Sequence, residues 1–329
     1  MAIDLLNLQP SQISRDLRSK YVLLAGDPKI GKTEFCSQCP DALILAFEMG
    51  TNALPGVFVQ PISKWADMKM ILRQLEKTEV KEKFSTICFD TISIAYDLCE
   101  QYICAQNGVT KIGDIAFGGG YSQLTKEFEG TLRKITMMGY ALIMTCHLKK
   151  TENEEGKVVE AKPDLNNRCL KIVNGLVDII AIITQEWDKN GNSTRWVQTR
   201  STPTIKAGNR FRYMKSKIPF GYQEFVYALA EAIDKERDNG AVVVDKKDML
   251  VEEKLDFSKV YNEAKEVWTG LLSLCPTDEE KERMVRDMNK KIEMIFGRKI
   301  KLSEVTEDQV DLLNLVLLEL KDMLSEKQK

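Results

Sequence analysis

At 329 residues, 43% hydrophobic and 29% charged, the chain has an ordinary globular composition and room for one large domain or for a domain and a smaller companion. No apolar run approaches the roughly 20 residues of a membrane-spanning helix, and Met1-Ala2-Ile3-Asp4-Leu5-Leu6 lacks the basic and apolar regions of a signal peptide. A cytoplasmic protein without a membrane partner is expected, and the formal charge of −2 means that any nucleic-acid contact must rest on local basic patches.

Taken in chain order, Tyr21 to Gly26 is a short apolar run that reads as a buried strand, and a helix opens at about 32. Asp41 to Phe47 is a second buried strand, ending at Glu48. Helical spacing follows over 63–76 through Trp65, Met68, Ile71, Leu72 and Leu75, with Ser63 as a cap. Phe84 to Phe89 is a third strand, ending at Asp90, and a helix is expected from about Ile92 to Ala105. The glycines at 108, 113 and 118–120 predict a loop reaching to Tyr121, followed by a helix over 122–137. Tyr140 to Cys146 is a fourth strand, ending at His147. The polar stretch 149–163 reads as a mobile loop with a small hairpin around Gly156. A helix over 166–174, strands over 177–184 and 195–199, and a helix from Tyr222 to about Lys235 complete the first domain.

This alternation predicts an α/β fold, a mostly parallel sheet with helices on both faces. The expected domain covers 1–238, a linker 239–256, and a small all-α module 257–329, helical over 257–296 and 303–325. In open α/β sheets ligands bind beyond the carboxyl ends of the strands, where the first strand meets a glycine loop and three others end in Glu48, Asp90 and His147. Eight cysteines lie within apolar patterns; Cys36 and Cys39 have metal-ligand spacing but no second pair, so packing is expected over zinc or redox chemistry.

Gly26-Asp27-Pro28-Lys29-Ile30-Gly31-Lys32-Thr33 carries the strongest chemistry, a phosphate-binding loop set between strand and helix. Its backbone N–H groups are expected to wrap phosphate, Lys32 to reach the β- and γ-phosphates of ATP, and Thr33 to hold Mg²⁺ through its hydroxyl. Glu34 adjoins the nucleotide but points away from the γ-phosphate by helix geometry. Asp90 is expected to hold the magnesium shell, against the alternative of a helix cap. Thr91, not a glutamate, follows Asp90, so Glu48 becomes the candidate for polarising the attacking water, against a solvated strand-end charge. His147, the single histidine, either donates to the γ-phosphate or is structural.

These residues in this order resemble the RecA-type ATPase core, and most closely the phage nucleotide-binding proteins of single-strand annealing and recombination. Six stretches carry the resemblance: Gly-Asp-Pro-Lys-Ile-Gly-Lys-Thr, Phe-Glu-Met-Gly-Thr-Asn-Ala-Leu at 47–54, Phe-Asp-Thr-Ile-Ser at 89–93, Gly-Gly-Gly-Tyr at 118–121, Cys-His-Leu-Lys at 146–149 and Ala-Gly-Asn-Arg-Phe at 207–211. It covers about 15–235. The segment Lys-Ser-Lys-Ile-Pro-Phe at 215–220 is similar to one whose two lysines reach a neighbouring subunit's nucleotide, which implies Lys215 and Lys217 as catalytic cations acting in trans. The resemblance further implies a homo-oligomer, ring or filament, with nucleotide at the interface, and single-stranded DNA held by the loops 108–121 and 149–163. Lys111, Tyr121, Lys149 and Lys150 would make the contacts, although Glu152, Glu154, Glu155 and Glu160 dilute the second loop. The expected activity is Mg²⁺-dependent ATP hydrolysis coupled to annealing or strand pairing, with a single-strand-binding protein as a further partner. A DNA motor and a nucleotide-regulated mediator without turnover are the rivals.

Overall fold

The computed structural model describes residues 13–15, 17–50, 54–244 and 255–327. Its strands are β1 (Ile13–Ser14), β2 (Tyr21–Ala25), β3 (Ala42–Ala46), β4 (Phe58–Pro61), β5 (Thr86–Asp90), β6 (Ala141–Cys146), β7 (Leu148–Glu152), β8 (Val158–Pro163), β9 (Ile179–Trp187), β10 (Ser193–Gln198), β11 (Gly208–Asn209), β12 (Lys217–Pro219) and β13 (Val243–Val244). Its helices are α1 (Lys32–Ser37), α2 (Trp65–Leu75), α3 (Thr78–Lys83), α4 (Ile92–Gln106), α5 (Gly119–Met137), α6 (Asn167–Leu176), α7 (Tyr222–Asp238), α8 (Phe257–Ser273), α9 (Asp278–Phe296) and α10 (Val310–Lys327).

The central sheet runs β12-β10-β9-β2-β6-β5-β3-β4, with β11 also paired to β9. From β9 to β4 every neighbouring pair is parallel, and β10, β11 and β12 form an antiparallel border. The expected α/β fold with a mostly parallel sheet is what the chain adopts. The parallel strands are continuous apolar runs because both of their faces are covered. Successive side chains of β2 part company accordingly: Leu23 and Ala25 enter one core with Trp65, Tyr96 and Phe128. Val22 and Leu24 enter the other with Phe35, Phe225 and Leu229. Helices α2, α4, α5 and α6 thus pack on one face, and α1 and α7 on the other. Phe128 binds the first group together, its ring 5.0 Å from Tyr96 and 5.7 Å from Trp65.

Several expectations need correction. The glycine-rich segment is not a loop as far as Tyr121: 3₁₀ turns occupy Ile112–Asp114 and Ala116–Gly118, and α5 begins at Gly119. Gly120 sits inside that helix because a Cβ there would meet the carbonyl oxygen of Ile112 at 2.5 Å, so close packing overrides glycine's poor helix propensity. Of the reading of 149–163 as a loop with a small hairpin around Gly156, the hairpin is what forms: β7 pairs with β8 over nearly the whole stretch and turns at Gly156. Strand β4, helix α3 and the short strands β1, β11, β12 and β13 were outside the expected elements. Val243–Val244, expected as linker, pairs in parallel with Ile13–Ser14; the rest of that linker falls mainly on 245–254, outside the described residues.

The chain divides into two compact units near residue 252. In the second, the helical stretch expected over 257–296 is broken after Ser273, around Pro276, and restarts where the Thr277 hydroxyl accepts from the Glu280 N–H. Where a helix was expected from 303, 3₁₀ turns precede α10. Val260, Ala264, Leu271, Met288, Ile292, Leu313, Val316 and Leu320 form this unit's own core. Among the described residues no helix is long and apolar enough to cross a membrane.

Candidate nucleotide site

The phosphate loop leaves β2 through Gly26, whose N–H donates to the Cys146 carbonyl at 3.2 Å on β6. Lys29 (φ 63) and Gly31 (φ 109) lie in the left-handed region, which curls the backbone before α1 begins at Lys32. Gly31 is required twice over, since a Cβ would also meet the Arg195 guanidinium at 2.8 Å and the Phe220 ring at 2.9 Å. Arg195, on β10, braces the loop by donating to the Ile30 carbonyl at 2.8 Å while stacking on Phe220.

Lys32 is buried, and its ammonium donates to the Gly26 and Asp27 carbonyls, each at 2.9 Å. Burial lowers its pKa from the ordinary lysine value, against the opposing pull of Asp90, Glu48 and Asp27. The Thr33 hydroxyl donates to one oxygen of Asp90 at 2.7 Å, and the Thr145 hydroxyl to the other. Asp90 is thus not the cap of α4; Thr91 occupies that position.

Strand order brings the remaining groups together. Because β6 lies between β2 and β5, His147 emerges beside Lys32, with Nδ1 3.5 Å from the ammonium. Because β3 pairs with β5, Glu48 emerges beside Asp90: the Phe47 and Glu48 N–H groups both donate to the Asp90 carbonyl. The Glu48 carboxylate accepts from the Thr91 hydroxyl at 2.9 Å and lies 3.4 Å from His147 Nε2. A cavity of about 620 Å³ joins Lys32, Thr33, Glu48, Asp90, Thr91 and His147, and reaches Pro28, Lys29, Gly31 and Glu34. Size and lining suit a nucleotide's phosphates. Thr33 and Asp90 together offer hard oxygen ligands of the kind a magnesium ion takes, one or two from protein and the rest from phosphate and water.

Two features have no counterpart in sequence reasoning. Lys150, on β7, forms an ion pair with Asp27 of the phosphate loop at 2.6 Å. Thr91, noted in sequence only for not being a glutamate, orients Glu48.

Lys215 and Lys217 stand apart from this cavity. Lys217 lies on the border strand β12, paired with Glu186 at 2.6 Å and over the Trp196 ring; Lys215 pairs with Glu231 at 2.6 Å. Among the candidate DNA contacts, Lys111 and Lys149 are exposed. Tyr121 has one ring face covered by the Arg168 guanidinium at 4.1 Å, and the fully exposed aromatic of its segment is Phe117. Lys157 and Lys162 pair with Glu155 and Glu160 of their own hairpin.

The eight cysteines are free and buried. The Cys36–Cys39 pair packs with Cys88 beneath α1, and among the described residues no cluster of three or more His, Cys, Asp or Glu is placed to hold a metal.

Residues 18–211 match the AAA domain family, a span that holds the loop, Glu48, Asp90 and His147 and stops short of Lys215 and Lys217. Over 341 aligned positions the chain is 30% identical to the SPbeta prophage-derived uncharacterized protein YorG of Bacillus subtilis (strain 168), covering 99% of this chain and 100% of the relative. Among solved structures, the flagellar accessory protein FlaH from Methanocaldococcus jannaschii aligns with 61% of this chain and 84% of its own, at 12% identity and a TM-score of 0.35.

Proposed function

The chain belongs to the AAA domain family of P-loop ATPases, and from that premise we propose that it is a Mg²⁺-dependent ATPase that binds single-stranded DNA and promotes annealing or strand pairing. The hydroxyl-to-carboxylate contact of Thr33 and Asp90 carries the catalytic half of this reading, since it sets two magnesium-binding oxygens 2.7 Å apart beside the buried Lys32.

In this reading Lys32 exchanges the two loop carbonyls for phosphate oxygens. Magnesium, when bound, neutralises charge shared by the β- and γ-phosphates. Thr145 holds Asp90 in place through its second oxygen, leaving the first for the metal side. Glu48, steered by Thr91, accepts the proton of the attacking water, and His147 stands between Glu48 and Lys32, where a γ-phosphate would contact it.

Three observations support the DNA half. The hairpin starts one residue after His147, and through Lys150 it also touches the phosphate loop, so it is joined to the nucleotide cavity's surroundings at two points. Lys111, Lys149 and Phe117 offer the charge and the free ring that single strands use. The prophage origin of the relative aligned over its whole length suits a phage recombination or replication role. A homo-oligomer would place Lys215 and Lys217, beside the sheet's antiparallel border, at a neighbour's nucleotide; a single-strand-binding protein is a natural companion.

ATP turnover with and without single-stranded DNA, at low and high salt, tests both halves. Salt-sensitive stimulation by single strands is the expected result. Turnover indifferent to DNA removes the DNA half. A Lys32→Ala variant that turns over normally removes the ATPase half.

A further inference from the structure

The second unit carries a groove of about 350 Å³ between α8, α9 and the turn at Lys301–Ser303. Its floor is Ala264, Met288, Ile292 and Leu313, all buried. Trp268 and Tyr261 also line it. The polar residues of the lining are Lys265, Lys301, Asn289 and Ser303, with no Asp or Glu. That selection is unexpected, because acidic side chains outnumber basic ones across 255–327. Of the unit's other lysines, Lys281, Lys291, Lys321 and Lys327 pair with Asp278, Glu319, Glu263 and Glu280, and among the described residues Lys259, Lys290 and Lys299 form no ion pair. Among the described residues, the ammonium groups of Lys265 and Lys301 have no carboxylate partner, and the Trp268 indole N–H has no acceptor.

An aliphatic floor lined above by donors and cations is complementary to a ligand that is apolar at one end and anionic beside it. Nucleic acid fits poorly: two cations are few for a polyanion, and the unit's overall charge opposes it. We propose that this groove docks an acidic, apolar peptide segment of a partner protein, one large side chain entering over Ala264 and Leu313 while neighbouring carboxylates meet Lys265 and Lys301. All of its lining residues belong to the second unit.

The test uses the full chain and a fluorescently labelled hexapeptide, three aspartates followed by two leucines and a C-terminal phenylalanine, followed by anisotropy. Saturable binding that weakens with salt is expected. Lys265→Glu with Lys301→Glu, both exposed positions, should weaken it about tenfold or more while leaving ATP turnover and melting temperature unchanged. Replacing the aspartates by lysine, or the apolar residues by alanine, should abolish it. The proposal is overturned by no binding, by equal binding to the double variant, or by a concentration-dependent dimer that the double variant dissolves, since the occupant is then a second copy of the chain.

Discussion

Lys150 and Asp27 tie the β7–β8 hairpin to the phosphate loop, two side chains in contact at 2.6 Å although 123 positions separate them. Both are substantially exposed, so the pair contributes less than about 1 kcal/mol to global stability. Its effect is local. Lys150→Ala should leave the melting temperature nearly unchanged and speed amide hydrogen exchange in β7, with β6 unaffected. Mass spectrometry of deuterium uptake measures this, and unchanged exchange in β7 would show the pair to be an idle surface contact.

In the proposed reaction Glu48 acts on water and not on the nucleotide itself. Glu48→Gln retains an oxygen that accepts from Thr91 but removes the base. Affinity for ATP should stay within about twofold while turnover falls on the order of 10²- to 10⁴-fold, the usual worth of a positioned general base. Thr91→Val, which frees Glu48 without removing it, should cost less. Phosphate release and calorimetric titration separate the two quantities; equal loss in affinity and turnover would make Glu48 a binding residue.

The buried ammonium of Lys32 gives nucleotide binding a proton signature. In the free protein its pKa is lowered by burial, and phosphate oxygens would raise it again. Between those two values the free site has lost a proton that the complex retains, so binding takes up a proton and weakens as pH rises from the first value to the second. Calorimetry in buffers of different ionisation enthalpy reads the uptake directly. Lys32→Met should lose both the uptake and most of the affinity.

Gly31 and Gly130 make a matched pair of substitutions. Gly31→Ala forces a Cβ into the left-handed region and against Arg195 and Phe220, at a cost of about 1–3 kcal/mol and with loss of nucleotide binding. Gly130 lies within α5 with open space around it, so Gly130→Ala should stabilise by about 0.5–1 kcal/mol. Urea unfolding midpoints should move in opposite directions.

The legible part of this site shares one cause. Each of Gly26, Glu48, Asp90 and His147 ends a run of buried apolar residues, and a parallel sheet sends all such ends to one edge. The illegible part consists of distances between segments remote in sequence. Nothing local marks Thr145 as the second partner of Asp90, Arg195 as the brace of Ile30, or Lys150 as the partner of Asp27. Strand β4 escaped notice because Phe58-Val-Gln-Pro61 is a half-exposed edge, without the apolar continuity that revealed its neighbours. The glycines at 119 and 120 resemble a loop to any propensity argument; the approach of the Ile112 carbonyl accounts for the second of them inside the helix, and it is a contact remote from anything propensity measures.

The burial of all eight cysteines has a practical consequence. Burial raises the thiol pKa of Cys99, Cys169 and Cys146, the last to about 12, so little thiolate exists for alkylation near neutral pH. A cysteine introduced at an exposed position, on the hairpin for instance, becomes the fast-reacting handle for a dye. The native eight then serve as a molecular fuse, silent while the chain is folded and labelled one after another as successive layers of the protein open.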